Sequence, residues 1–219
     1  MGASSRAATT SPRDLVRFDA VQRAAHWTTA LLFAVLVVTA IPLYYGSLVG
    51  LVLPRFTVEQ VHLWAGVSLP VPLVLSLPGP WGARMRRDLR RINVWRREEV
   101  EWLTTRGRTS LTADKFNPAQ KLNAIFVGAL STVMLGTGII LKWFAYFPLS
   151  WRVGSTFVHD LVAWLLTVVI VGHVVMALRH REALSSMLRG RVSEQWAATN
   201  APRWWREEVG EPSETATGE

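Results

Sequence analysis

Four long apolar runs, separated by polar or arginine-rich stretches, set the pattern of this chain. The last of them, Gly154 to Leu178, is 25 residues whose only ionisable members are His159, Asp160 and His173. A helix needs about 20 apolar residues to cross a bilayer core, so each run predicts a membrane span. The predicted spans cover about residues 21–44, 57–77, 122–144 and 154–178. Pro70 and Pro72 predict a kink in the second span, which membrane helices tolerate when neighbours re-satisfy the freed carbonyls, and Pro78, Gly79 and Pro80 end it. In the third span Gly128, Thr132 and Gly136 recur every four residues. Such a small-residue ridge admits another helix, its commoner use, or a flat ligand.

The connections complete the plan. Residues 1–13 are small and hydroxyl-rich, without apolar periodicity, and read as a disordered arm. The basic start before the first span resembles a signal peptide, but the apolar run continues past Pro42 to Leu53 with no small-residue cleavage site, so it is expected to remain as an uncleaved helix. Residues 81–121 contain eleven Lys or Arg against five Asp or Glu. Within them Met85, Leu89, Ile92 and Trp95 recur at helical spacing, which fits an amphipathic helix on the membrane surface or a charged face against a partner protein. Residues 179–208 mix Arg, Glu and Trp, and the last eleven are acidic, small and expected to be mobile. The fold class is therefore an all-α membrane protein. A four-helix transmembrane unit occupies 14–184, and 185–219 form a cytoplasmic tail.

Charge fixes the expected orientation. The 219 residues include 24 Lys and Arg against 16 Asp and Glu, and the arginines concentrate in the N-terminal arm, the 81–121 loop and the C-terminal segment. The positive-inside bias then places both termini in the cytoplasm. Nucleic acid is not an expected partner, because topology already accounts for arginines that flank spans. There is no cysteine, which excludes Cys-ligated clusters, thioether-attached haem, Cys-based zinc sites and disulfides. A redox metal in this chain must use histidine. The 11 Trp suit interfacial belts, with some in plain packing.

Histidine carries the candidate chemistry. His159 and His173 are fourteen residues apart, about 21 Å along a helix axis and on nearly the same face. Ionisable side chains inside spans usually face a functional interior. His26 stands near the cytoplasmic start of the first span and His62 near the outer start of the second, so the four residues pair by depth: His26 with His173 inside, His62 with His159 outside. Two imidazoles at one level on different helices can ligate one haem iron from both sides. A small residue follows each four positions later, namely Ala30, Gly66, Ala163 and Ala177, on the helix face where a porphyrin would lie. Three other uses are weighed against this. Histidines can simply hydrogen-bond neighbouring helices; zinc or copper would need ligands converging on one centre; a proton relay normally includes carboxylates within the spans. The alternative from another class is a transporter or an assembly scaffold with structural histidines; a transporter usually shows internal repeats, and none is visible. His180, in an arginine-rich segment, reads as a surface residue.

Several motifs carry a family resemblance: RAAHW around His26, KFNPAQK at 115–121, the His159 and His173 pair with Met176-Ala177 after the second, and GRVSEQWAATNAPRWW in the tail. Over about residues 14–208 the chain resembles the cytochrome b (gamma) subunit of membrane-bound respiratory formate dehydrogenases, a dihaem family related to the cytochrome b subunits of nickel-iron hydrogenases. The resemblance implies two haem b groups ligated by the two histidine pairs. It also implies a menaquinone or ubiquinone site beside the inner haem that maps to Asn117 and Gln120, with His173 close by. Asn117 before Pro118 is equally a helix N-terminal signal. Phe116 and Val175 stand where the family often has Tyr. The implied partners are an iron-sulfur (beta) subunit and, through it, a molybdenum- or tungsten-containing catalytic subunit. The chain would be a multi-pass protein of the bacterial plasma membrane that does not act on formate itself. Lys142 and Arg152 are candidates to hold outer haem propionates, and Arg23 inner ones.

Overall fold

The computed structural model describes residues 14–48, 53–105 and 113–210; the N-terminal arm and the last nine residues lie outside these ranges. Four helical segments are long and apolar enough to cross a membrane. The first, α1 (Ala20–Tyr44), starts at a capping box: the Asp19 carboxylate accepts from the Gln22 backbone N–H at 2.8 Å, and the Gln22 side chain accepts from the Asp19 N–H at 3.1 Å. Two orphan donors of the first turn are thereby satisfied. The second span is broken as Pro70 and Pro72 predict, into α2 (Arg55–Ser68) and α3 (Val71–Leu75). Arg86 closes its C-terminal end by donating to the Leu77 and Gly79 carbonyls. Between the second and third spans lie α4 (Ala83–Asn93) and α5 (Arg97–Thr104).

The third span, α6 (Pro118–Lys142), begins four residues earlier than its apolar run, and the fourth, α7 (Leu149–Arg179), begins five earlier. Asn117 and Pro148, each at the N-cap, set those starts. In both cases polar or aromatic residues extend the helix beyond the part that hydropathy marks. The spans form two hairpins, α1 packing along α2 and α6 along α7, with α2 touching α6 between them. Most of their surface is apolar and exposed, as suits a lipid-facing bundle. Tyr44, Tyr45, Trp143, Tyr146 and Trp151 are exposed around the ends of α1 and the α6–α7 turn, an aromatic belt of the kind found at a membrane interface.

The segments outside the spans depart most from the sequence expectation. The tail folds as α8 (Arg181–Arg189), β2 (Arg191–Ser193), α9 (Glu194–Asn200) and α10 (Pro202–Val209), and β2 pairs antiparallel with β1 (Asp14–Val16). The chain is thus mostly helical rather than purely so, and part of the tail belongs to the same folded body as residues 14–184. Val192, Ala197, Ala201 and Trp204 form a small buried core covered by Leu15, Trp196 and Trp205. Gly190 makes the turn into β2 at φ +83°, and its carbonyl accepts from the Arg17 and Phe18 N–H groups.

In α4 the buried residue is Asp88, so this helix meets a polar interior and not only an apolar surface. Trp95 falls beyond its end, after the Val94 C-cap. Asp88 accepts from Gln22 Nε2 at 2.6 Å and from the Lys115 ammonium. Arg91 pairs with Asp114 and Glu207, each at 2.7 Å. Arg84 reaches the Val16 carbonyl. Arg84 and Arg91 therefore hold α4 against β1, the entry to α6 and α10.

Candidate metal centres

The inner pair is the best-defined arrangement in the bundle. His26 of α1 and His173 of α7 face each other with ring centroids 6.3 Å apart and planes inclined at 59°. No hydrogen bond joins the rings among the described residues. A six-coordinate iron between two imidazoles requires two metal–nitrogen bonds of about 2 Å each, plus about 1 Å from each nitrogen to its ring centre, or about 6 Å in all. The observed spacing meets that requirement. Trp27 packs edge-on against His26, centroids 5.3 Å apart, and donates its indole N–H to the Met187 carbonyl at 3.3 Å, tying the start of α1 to α8.

The other two histidines are His62 of α2 and His159 of α7. Each has a threonine hydroxyl 2.8 Å from Nδ1: Thr39 of α1 for His62, and Thr137 of α6 for His159. Thr39 is thirteen residues beyond His26, and His159 is fourteen before His173, so both helices place the two levels about 20 Å apart. Of the two expected pairs, the fold brings the His26 and His173 rings to 6.3 Å, and it sets His62 and His159 each beside a threonine. The threonines were not anticipated, because a lone Thr in an apolar span carries no distinguishing signal of its own.

These sites fit a flat ligand clamped at two depths better than a compact metal cluster. Among the described residues no group of three or more His, Asp or Glu converges as a metal site would require. Small residues do line the ligand positions: a Cβ at Gly66 would meet Leu36 at 3.7 Å, and one at Gly138 would meet His159 Cε1 at 3.5 Å. Among the described residues the Gly128 and Gly136 ridge makes no helix contact, since a Cβ at either position would meet nothing within 4 Å. His180 is exposed on the surface, with Nδ1 at 2.9 Å from the Met176 carbonyl.

Asn117 and Gln120 form the capping box of α6. Asn117 Oδ1 accepts from the Gln120 N–H at 2.9 Å, and Gln120 Oε1 accepts from the Asn117 N–H at 3.1 Å. Both oxygens are used by the helix, whereas both NH2 groups donate to no described residue. The flanking lysines of the same motif point inward instead. Lys115 pairs with Asp88, and Lys121, 2% exposed, sits 2.7 Å from Glu99 and donates to the Val94 carbonyl at 2.9 Å. Burial pulls the Lys115 ammonium below its usual range, against the opposite pull of Asp88. Burial likewise brings the neighbouring Arg17 guanidinium to about 10, again opposed by Asp88.

The propionate candidates differ. Arg23 donates to the Leu188 carbonyl at 2.6 Å, and its Nε is buried without a partner. Arg152 lies over the Phe144 ring, 5.8 Å from its centroid, and its Nε is also unpartnered. Lys142 is exposed in the last turn of α6, without an ion pair among the described residues.

Residues 17–190 match the family described as prokaryotic cytochrome b561. The chain is 27% identical over 206 residues to the "Formate dehydrogenase, nitrate-inducible, cytochrome b556(Fdn) subunit" of Escherichia coli (strain K12), covering 88% of this chain and 91% of that protein. It is 24% identical to the "Formate dehydrogenase, cytochrome b556 subunit" of Haemophilus influenzae, over 89% of this chain and 84% of that protein. It is 26% identical to the "Probable Ni/Fe-hydrogenase 1 B-type cytochrome subunit" of Escherichia coli, over 82% of this chain and 91% of that protein.

Proposed function

Because this chain belongs to the prokaryotic cytochrome b561 family, a family of b-type cytochromes, we propose that it is the dihaem membrane subunit of a respiratory formate dehydrogenase-type complex, carrying electrons to the quinone pool. His26 and His173 hold the inner haem b, and His62 and His159 the outer. When bound, these groups supply one-electron carriers at two depths; the chain fixes their spacing and orientation. The observation that carries the reading is the 6.3 Å separation of the His26 and His173 ring centroids, which suits an iron between them.

The chain accepts electrons at its outer face from an iron-sulfur subunit, itself fed by a molybdenum- or tungsten-containing catalytic subunit. It delivers them at the inner face. There the unpaired NH2 groups of Asn117 and Gln120 donate to a carbonyl of menaquinone or ubiquinone, beside the cytoplasm that provides the protons. Arg152 and Lys142 compensate propionate charge at the outer level and Arg23 at the inner, with the orphaned Nε of each arginine as the spare donor. Both termini are cytoplasmic, and the chain spans the bacterial plasma membrane. A second reading, the cytochrome b subunit of a nickel-iron hydrogenase, is favoured by the similarity to the hydrogenase subunit and differs only in the partner that feeds the outer face.

A pyridine haemochrome assay on the purified chain should return two protohaems per polypeptide, and His62→Ala should reduce this to one. A count clearly below two in the unaltered chain sinks the reading. The subunits that co-purify, identified by mass, decide between the formate and hydrogen readings.

A further inference from the structure

The two outer histidines share a device that the inner pair lacks. Thr39 Oγ1 lies 2.7 Å from the Val35 carbonyl, 3.2 Å from the Leu36 carbonyl and 2.8 Å from His62 Nδ1. Thr137 Oγ1 repeats the arrangement, at 2.8 Å from the Val133 carbonyl, 3.2 Å from the Met134 carbonyl and 2.8 Å from His159 Nδ1. A hydroxyl has one proton to donate, and a carbonyl can only accept. That proton is therefore committed to the helix backbone four or three residues earlier, and the hydroxyl oxygen must accept from Nδ1–H. Both imidazoles are thus held as the tautomer with the proton on Nδ1, leaving the Nε2 lone pair unprotonated.

From this geometry we infer that Thr39 and Thr137 are positioning residues that hold both outer imidazoles in the iron-binding tautomer and make the outer site more strongly electron-donating than the inner. The inference rests on the assignment of His62 and His159 as haem ligands. An acceptor at the far ring nitrogen fixes ring orientation and raises the basicity of a metal-bound imidazole. A more basic ligand favours the ferric state, so it lowers the midpoint potential of the site it serves. Neither His26 nor His173 has a hydrogen-bond partner at either ring nitrogen among the described residues. The resulting asymmetry makes electron residence less favourable at the outer level than at the inner, a downhill step toward the quinone side. The arrangement also uses each hairpin twice: α1 carries an inner ligand and an outer positioning residue, and α6 steadies a ligand borne by α7.

The test compares Thr39→Val and Thr137→Val, which keep side-chain shape without the acceptor, with Thr39→Ser and Thr137→Ser, which restore it. All are made in the full chain with haem bound, and His62→Ala and His26→Ala identify which redox wave is outer. Each Val variant should raise the outer midpoint potential by up to about tenfold in ferric-over-ferrous preference, ~59 mV for a one-electron couple, while the inner potential stays and Ser restores the original value. Loss of outer haem in the Val variants with retention in the Ser variants supports the same inference. Two haems with an unshifted outer potential overturn it, as does equal loss of haem in the Val and Ser variants. An outer wave that survives His62→Ala overturns the ligand assignment, and the inference with it.

Discussion

Asp88 of α4 and Lys115, at the entry to α6, form an ion pair with side chains only 7% and 4% exposed. Gln22, one turn before His26, donates to the same carboxylate at 2.6 Å, and Arg17 adds its charge nearby. This one carboxylate joins the first span, the arginine-rich helix and the loop motif beneath the inner histidine pair. Removing one partner of a buried pair leaves an uncompensated charge and costs about 3–5 kcal/mol. Asp88→Ala should therefore destabilise the chain by about that amount in a denaturant titration in detergent, whereas exposed Arg55→Ala, which breaks the surface pair with Glu59, should change it by no more than about 1 kcal/mol.

The same pair sets a pH dependence. Burial holds the Lys115 ammonium below the 10.5 of a free lysine, with Asp88 pulling it back up. Between the folded-state pKa and 10.5, the unfolded chain binds more protons than the folded one, so this group contributes stability that rises with pH across that window. Asp88→Asn removes the largest upward pull on Lys115 and should extend the window to lower pH; Lys115→Met should abolish the contribution. Denaturation midpoints of the three proteins from about pH 8 upward, compared as differences, check the sign. A Lys115 contribution that falls with rising pH would show that the ammonium is stabilised by its site, not penalised.

Gly190 is a sharper structural test. Its φ of +83° is a region that side chains rarely adopt, and a Cβ there would stand 2.5 Å from the Phe18 carbonyl oxygen and 3.3 Å from Arg23 Nε. Left-handed strain and the backbone clash act together, so Gly190→Ala should cost more than the 1–3 kcal/mol or so usual for strained backbone alone. The β1–β2 pairing should loosen, detected as faster amide exchange at Val16 and Val192. Unchanged exchange would mean that the turn relaxes freely. Since Arg23 borders the same turn, a shift in the inner redox wave in this variant would support a role for that guanidinium at the inner site.

The spans were legible because lipid forces nearly every residue of a crossing helix to be apolar, and the His depth pairing was read from the alternating direction of the spans together with helix rise. Pro70 and Pro72 announced their own break. The capping starts at Asn117 and Pro148 were legible in type but not in reach, since helices continue into polar and aromatic sequence where hydropathy goes quiet. What the pattern hid was the body that β1, α4 and the tail build together. Short segments such as Asp14–Val16 and Arg191–Ser193 have no periodicity of their own, and their pairing spans almost the whole chain. Asp88 drew no reading of its own because nothing local shows that Lys115, twenty-seven residues later, folds onto it. Thr39 and Thr137 were invisible for the same reason: each acquires meaning only from an imidazole on the next helix.

Asn117 and Gln120 allow capping and quinone binding to be separated, because the two uses fall on different atoms. The helix takes the amide oxygens; a quinone carbonyl can take only the NH2 groups. Asn117→Asp retains a capping oxygen, as good at an N-cap as Asn, and loses the donor. Gln120→Glu does the same at the third position of the box, where Glu is a normal occupant. Both variants should keep two haems and near-native stability. Quinone reduction, with haem reduction by dithionite unaffected, should nevertheless slow by about five- to tenfold, the effect of losing a hydrogen bond worth about 1–1.5 kcal/mol. Asn117→Ala should lose stability as well, by about 1 kcal/mol. If Asn117→Asp reduces quinone at the unaltered rate while Asn117→Ala is merely less stable, capping is the whole of this residue's role, and the quinone site must be sought elsewhere along the inner ends of α6 and α7.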